Sequence, residues 1–374
     1  MTDLALRQFH STAAQPRARG EEFGEAHVDE IKATVAAYIE LFHVGAQEPV
    51  DAERLGDMAI DRIRGWAPEA ADEIEGIARG CGLPPGMIGA INARTEILGV
   101  IARRARGECS VFLALSPTAN GSFAAQTWDW HDHLADSWLV WTIELPNGRT
   151  VHTLTEFGVL GKLGINSDGI AVLLNILHHR EDGAGIAVPV HVVARRILET
   201  ATNLNDALIL ATGAPVSAST ALTLVGHDEA ECSGMSVELN PVGPDVVVPD
   251  RDGILARTNH FLAPRAAAGD REAEVGPDTF LRYDVLRRRI AANRPASEED
   301  CFSLLRSHYG GGGAICAHPD PDAAVGSRYA TLATIVFDFG RDTMSVKPAG
   351  PCSAAAPVTF ETKLQETAII GGGL

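Results

Sequence analysis

The sequence predicts a layered α+β sandwich carried behind a helical N-terminal segment. Three observations point there. Apolar residues recur every three to four positions over roughly the first hundred residues. The period then changes to two at Cys109. Beyond that point several sheet runs alternate with grouped helices, the pattern of a layered α+β domain.

Val28, Ile31, Val35, Ile39 and Phe42 mark one apolar helix face. A second helix follows Asp51, and another starts at Pro68, turns Ile74 and Ile77 inward and closes at Gly80. Pro84-Pro85 opens the next, through Ile88, Ile91 and Leu98, since proline fits the first helical turn. The whole N-terminal block reads as helix. Strands follow at Cys109–Leu115, Ser122–Gln126, Leu139–Leu145, Thr150–Glu156, Gly169–Leu174, Ala221–Gly226, Met235–Leu239 and Val246–Val248. Pro146-Asn147-Gly148 supplies the Asn-Gly signal of a tight hairpin. Helices interrupt the strands at about Val188–Thr200, Asn205–Ala211, Asp278–Asn293 and Ser297–Tyr309, the last announced by the capping box of Ser297 with Asp300. Ala330–Phe339 and Met344–Val346 complete the sheets. Leu262 to Val275 and Gly310-Gly311-Gly312-Gly313 read as loops, and neither shifts composition enough to bound a domain.

A chain of 374 residues that is 45% hydrophobic and 21% charged can bury a large core. Its formal net charge of −18, with no compensating basic tract, opposes contact with nucleic acid or an anionic membrane surface. Six scattered cysteines without a Cys-x-x-Cys pair, and an N-terminus without a secretory pattern, suggest reduced thiols and a cytoplasmic protein. No apolar run reaches the length of a membrane span.

Chemistry concentrates at Glu108-Cys109-Ser110-Val111-Phe112-Leu113-Ala114, where a lone cysteine opens an apolar strand directly after Arg103-Arg104-Ala105-Arg106-Gly107. Gln126-Thr127-Trp128-Asp129-Trp130 ends the partner strand, so a carboxylate could face the cysteine across a hairpin. Amide cleavage needs a strong nucleophile, a base and a place for the developing oxyanion. A cut before Cys109 would put an α-amine, with an ordinary pKa of about 7.7–8.0, on the residue that carries the thiol.

In the order of its residues the chain resembles the penicillin acyltransferase-like family of autoproteolytic N-terminal nucleophile (Ntn) hydrolases, relatives of bile-salt hydrolases and penicillin V acylase. The likeness runs from Asp72-Glu73-Ile74-Glu75-Gly76-Ile77-Ala78 and Ile91-Asn92-Ala93-Arg94-Thr95-Glu96 through Cys109 and Trp128-Asp129 to the run from Thr155 to Gly169. It continues in Thr258-Asn259-His260, Ile315-Cys316-Ala317-His318-Pro319 and the run from Thr331 to Asp338. The resemblance implies a four-layer αββα sandwich of the Ntn-hydrolase type, made as one structural unit and self-cleaved into a helical segment 1–108 and a catalytic part 109–374 that stay associated. It implies that Cys109 is the nucleophile in both self-cleavage and acyl transfer, that Asp129 orients its amine, and that Asn259 donates to the oxyanion. Asn175 would be a second asparagine near the oxyanion and Arg328 an arginine beside the nucleophile. Glu108 stands where the fungal pattern has glycine, and Gln126 where bile-salt hydrolases place arginine.

No metal or other cofactor is expected. The partner would be a small-molecule amide or acyl donor, and homo-oligomerisation is compatible with this reading. Trp128, Trp130, Trp138 and Trp141 are expected around a hydrophobic acyl pocket, with Trp128, Trp130 and His131 as the expected substrate-binding residues, while His131 or His133 lines the substrate mouth or is simply solvated. The other cysteines, including Cys232 in a second Glu-Cys-Ser, read as structural. Two rivals stand beside this reading. One is a metal-assisted hydrolase using His131 and His133 near Asp129, although no zinc-type cysteine pair accompanies them. The other is an unprocessed binding protein of the same fold.

Overall fold

A computed structural model describes residues 5–101, 108–228, 230–311, 314–323 and 328–362, except for the Glu108 side chain. The basic run before the cysteine, and Gly312 and Gly313 of the glycine loop, lie outside the described residues.

The chain begins with strand β1 (Gln8–Ser11), which breaks the expected all-helical block by pairing in parallel with a later strand. Four residues of mixed polarity carry no periodic signal, so only the tertiary partner reveals it. Helices Pro16–Ala26, Val28–Ala46, Ala52–Trp66, Pro68–Cys81, Pro85–Asn92 and Arg94–Ile101 follow. Proline occupies the first turn of three of them, and the Asp51 side chain caps another through the Arg54 N–H at 3.1 Å. Helices Pro16–Ala26 and Pro68–Cys81 cross in near backbone contact. A Cβ added to Gly20 would stand 2.1 Å from the Glu73 carbonyl oxygen, so only glycine allows the approach.

The remaining strands are β2 (Glu108–Ala114), β3 (Phe123–His131), β4 (Trp138–Glu144), β5 (Thr150–Glu156), β6 (Leu163–Asn166), β7 (Ile170–Ile176), β8 (Thr220–His227), β9 (Cys232–Leu239) and β10 (Asp245–Val247). After them come β11 (Ile254–Arg257), β12 (Tyr329–Asp338), β13 (Thr343–Pro348) and β14 (Val358–Glu361). One sheet has the order β1-β4-β5-β6-β7-β8-β9-β10, the other β11-β2-β3-β12-β13-β14. Helices Val190–Thr200 and Leu204–Thr212 cover the first sheet, and Asp278–Ala292 and Glu298–Leu305 cover the second. The sheets face each other where β2 meets β7, giving the expected four-layer αββα sandwich.

Both faces of β2 are buried, and its alternation sorts the side chains. Cys109, Val111 and Leu113 enter the core between the sheets, whereas Phe112 and Ala114 join Leu286, Ile290 and Phe302 beneath the second helical layer. The Asn147-Gly148 turn and the Ser297 capping box form as expected, with Gly148 at φ 83° and Asp300 N–H bonded to Ser297 Oγ at 3.2 Å. Three further short strands, β6, β11 and β14, stand where the sequence alone gives no strand. The loop Leu262 to Val275 contains two helical turns, Pro264–Ala267 and Glu272–Val275. Among the described residues no helix is long and apolar enough to cross a membrane.

Candidate active site

Cys109 is buried in β2, and its backbone is gripped at both ends by side chains. Its N–H donates to Asn259 Oδ1 at 2.9 Å. Its carbonyl accepts from Asn175 Nδ2 at 2.9 Å and from an Arg282 guanidinium nitrogen at 3.1 Å. A second nitrogen of the same guanidinium reaches Asn259 Oδ1 at 3.1 Å. Asn175 comes from β7 across the sandwich, Asn259 from the loop after β11, and Arg282 from the helix Asp278–Ala292. Asn259 is fixed in turn, its Nδ2 donating to the Ile176 carbonyl at 2.9 Å and its N–H to Thr279 Oγ1 at 2.8 Å.

The register pairs Cys109 with Trp128 and Glu108 with Asp129. Residues directly opposite share a face, so the Asp129 side chain leaves the sheet on the face away from the sulfur. There its carboxylate accepts from Thr331 Oγ1 at 2.6 Å, with Thr127 Oγ1 at 3.5 Å. Asp129 therefore stands opposite Glu108 in the β2–β3 pair, with its side chain off the thiol's face, although its charge still reaches the sulfur.

Burial, reinforced by the Asp129 carboxylate, pushes the Cys109 thiol up to about 12. In the uncut chain the sulfur is protonated at neutral pH and needs a base to become a nucleophile. It borders an enclosed cavity of about 20 Å³, which has room for roughly one water molecule. Trp128, Asp129, Trp130, Leu174, Ile176, Arg94, Lys162 and His191 also line it.

Three of those residues are basic side chains buried on one wall. Lys162 Nζ sits 3.4 Å from the centre of the Trp128 ring and 2.7 Å from Glu156 Oε2. Arg94 shares that carboxylate at 2.7 Å, and Tyr38 donates to its other oxygen. Trp130 completes the cluster by donating its indole N–H to Tyr38 Oη at 2.9 Å. Desolvation brings Lys162 down to about 7, despite Glu156. Burial, then the Arg94 and Lys162 charges, hold His191 well below the ordinary histidine range, and its Nδ1 makes no hydrogen bond.

Of the residues named from sequence, the structure gathers Cys109, Asp129, Asn175, Asn259, Trp128 and Trp130. Arg328 is elsewhere: its Nε pairs with Asp132 Oδ2 at 2.8 Å, and the arginine against Cys109 is Arg282. His131 lies against Tyr329, with ring centroids 4.5 Å apart and the planes tilted by 35°, and is not among the cavity's lining residues. Trp138 backs Trp128 edge-on at 6.0 Å, but Trp141 of β4 packs against the N-terminal segment, stacked on Phe23 at 4.2 Å and donating to Ser11. Gln126 bridges the sheets through paired bonds to Leu174, at 2.7 and 3.1 Å. Among the described residues the one group of potential metal ligands does not include Asp129, His131 or His133.

Sequence reading did not single out Arg282, Lys162, Glu156 or His191 for the site. Signals for two of them existed. Arg282 falls on the buried stripe Thr279, Arg282, Leu286 and Ile290 of its helix, where an unpaired cation would be costly. Lys162 interrupts the otherwise uncharged run Phe157–Ile165.

Comparison with known proteins finds several similar chains. The acyl-coenzyme A:6-aminopenicillanic-acid-acyltransferase 40 kDa form of Emericella nidulans is 30% identical over 226 residues, covering 60% of this chain and 60% of that protein. Among solved structures, the Caenorhabditis elegans ortholog of N-acylethanolamine-hydrolyzing acid amidase is 16% identical, with a TM-score of 0.43, covering 62% of this chain and 93% of its own. Penicillin V acylase from Agrobacterium tumefaciens is 16% identical, with a TM-score of 0.44, covering 67% and 85%. The match to a family as a whole extends over residues 117–351, beginning beyond Cys109 and taking in more than half of the sequence. On the strength of that match, the chain belongs to the acyl-coenzyme A:6-aminopenicillanic acid acyl-transferase family.

Proposed function

We propose that this protein is a self-processing cysteine acylase, which cuts its own chain between Glu108 and Cys109 and then cleaves or transfers the acyl group of a small amide. The supporting observation is the Cys109 backbone, held by Asn259 on one side and by Asn175 and Arg282 on the other, with the thiol against an enclosed cavity. In self-cleavage the sulfur attacks the Glu108 carbonyl carbon, the C–N bond breaks, and the departing nitrogen takes the proton. Water then opens the thioester, leaving a Glu108 carboxylate, a free thiol and the Cys109 amine. That amine, which Asp129 would orient, is the base that the thiol of the uncut chain lacks.

Turnover repeats the chemistry with the substrate acyl group on sulfur. An amide or acyl thioester donor fits, with water or an amine as acceptor. Trp128 and Trp130 favour an apolar or aromatic acyl chain. Residues 1–108 and 109–374 stay together as one body because β1 pairs with β4 and both parts share one core. Mass spectrometry of active protein tests the whole reading. Two polypeptides with Cys109 at a new N-terminus, and an acyl group trapped on it, are expected, whereas a fully active unbroken chain overturns it.

Two variants probe the supporting residues. Asp129→Asn should slow processing and turnover together, because the amine loses its anionic partner; turnover equal to wild type in the processed variant would reduce Asp129 to a packing role. Arg282→Met removes charge-assisted bonds to the Cys109 carbonyl and to Asn259, and a loss of about 1.5–3 kcal/mol corresponds to roughly ten- to a hundredfold in processing rate. Arg282→Lys should recover only part of that rate, since an ammonium cannot serve both acceptors in one plane.

A further inference from the structure

The sequence contains no zinc-type cysteine pair, yet the fold brings two distant cysteines together with two histidines on the other side of Asp129 from the cavity. His308 follows the helix Glu298–Leu305, Cys316 and His318 lie on the loop before β12, and Cys352 lies in the turn after β13. Cys316 Sγ is 3.5 Å from Cys352 Sγ and 3.8 Å from His318 Nε2. Cys352 Sγ is 3.4 Å from His318 Nε2, which is 3.1 Å from His308 Nε2. All four atoms lie within 4.8 Å of one another.

The four separations of 3.1, 3.4, 3.5 and 3.8 Å match four edges of a coordination tetrahedron, and the two from His308 to the sulfurs lie within 4.8 Å. With zinc bonds of about 2.3 Å to sulfur and 2.0–2.1 Å to nitrogen, the ideal edges are about 3.8 Å for S–S, 3.6 Å for S–N and 3.3 Å for N–N. A sulfur separation of 3.5 Å is far beyond the roughly 2.05 Å of a disulfide. We propose that His308, Cys316, His318 and Cys352 form a structural zinc site.

The donor set selects the ion. Two thiolates neutralise a divalent cation, and a tetrahedral S₂N₂ set suits zinc rather than the hard cations that take oxygen ligands. With four protein donors no position remains for substrate, so the site is a clamp. The backbone around it is shaped for the purpose. A Cβ on Gly350 would stand 2.9 Å from Cys316 Sγ, and the Cys316 N–H is tied to the Ser307 carbonyl at 3.0 Å.

The clamp reaches the candidate active site through one residue. Ala317, between the two loop ligands, exchanges bonds with Thr331: its N–H meets Thr331 Oγ1 at 2.9 Å, and its carbonyl meets the Thr331 N–H at 3.1 Å. Thr331 Oγ1 in turn donates to Asp129 at 2.6 Å. Binding zinc would therefore fix the support of that carboxylate. This link rests on the role proposed for Asp129; the metal site does not.

The test uses the full chain, produced with zinc in the medium and purified under reducing conditions without chelator. Elemental analysis should give about one zinc per chain. Cys316→Ser with Cys352→Ser should bring it near zero, and His308→Gln, which alters a surface position, should make zinc easier to strip with a chelator. Cobalt(II) should replace zinc and give the intense visible bands of a tetrahedral ion with thiolate charge transfer. The proposal is overturned by metal-free wild-type protein that gives no such bands with cobalt. Zinc retained in full by the double cysteine variant, or a Cys316–Cys352 disulfide in protein isolated under reducing conditions, overturns it equally. These readouts do not depend on whether Cys109 is the nucleophile, so failure of one proposal leaves the other standing.

Discussion

Cys109→Ala is expected to accumulate as one unbroken chain with no acyl-transfer or amidase activity, a loss of at least about a thousandfold. No other thiol borders the cavity, and removing the sulfur takes away attacker and leaving group at once. The fold should survive. The missing atom sits beside space that already exists, and such a truncation costs about 1 kcal/mol, moving the melting temperature by roughly 4 °C or less. A preserved melting transition with no cleavage assigns the defect to chemistry. Cys109→Ser serves as the graded control: its hydroxyl is a weaker nucleophile, so slow cleavage should leave both fragments visible after long incubation. Cleavage at the same bond in the alanine variant would remove the thiol from self-processing, and undiminished turnover would remove it from catalysis.

What could be read from the sequence depended on the range of the interaction. β5 (Thr150–Glu156) is plain because four of its seven residues are β-branched and it follows closely on the Asn147-Gly148 turn, and the Ser297 cap is plain because donor and acceptor are three residues apart. β1, β6, β11 and β14 have four residues each and owe their existence to a neighbour strand, so period carries no information. The site divides in the same way. Cys109 and Asp129 fall in adjacent strands, and the resemblance supplied Asn175 and Asn259. The arginine beside Cys109 could not be chosen from order alone. Arg328 and Arg282 both precede or face the right elements, and only the packing of the helix Asp278–Ala292 over β2 decides for Arg282. The four-ligand cluster was invisible for a related reason. Its cysteines are 36 positions apart and joined by two strands, so no spacing rule captures them.

Glu73→Gln is expected to lower stability by about 3–5 kcal/mol and to loosen the association of the two processed parts. Glu73 comes from the N-terminal part and is 2% exposed. It is shared by Arg19 of the same part and by Arg195 of the helix Val190–Thr200, the latter at 2.9 Å. Glu199 completes the cluster, 2.8 Å from Arg195 and 3.4 Å from Arg19. Two cations and two anions thus balance across what the proposed cleavage would make a boundary between two polypeptides. Replacing Glu73 by a neutral isostere leaves two guanidiniums in a dry interior with one partly exposed carboxylate between them. Burial alone would push the Glu73 carboxyl up, but Arg195 and Arg19 outweigh it and hold the group below its usual range. Its contribution is therefore full above the ordinary glutamate value of about 4.3 and is lost as the pH falls through the lower, folded value. Thermal melts should show the wild type well above the variant at pH 7, with the gap closing in stronger acid. Size-exclusion chromatography of the processed protein at dilute concentration should release fragment 1–108 from the variant first. Equal melting temperatures at pH 7 would mean that the cluster contributes no net stability and that the apolar core alone holds the halves together.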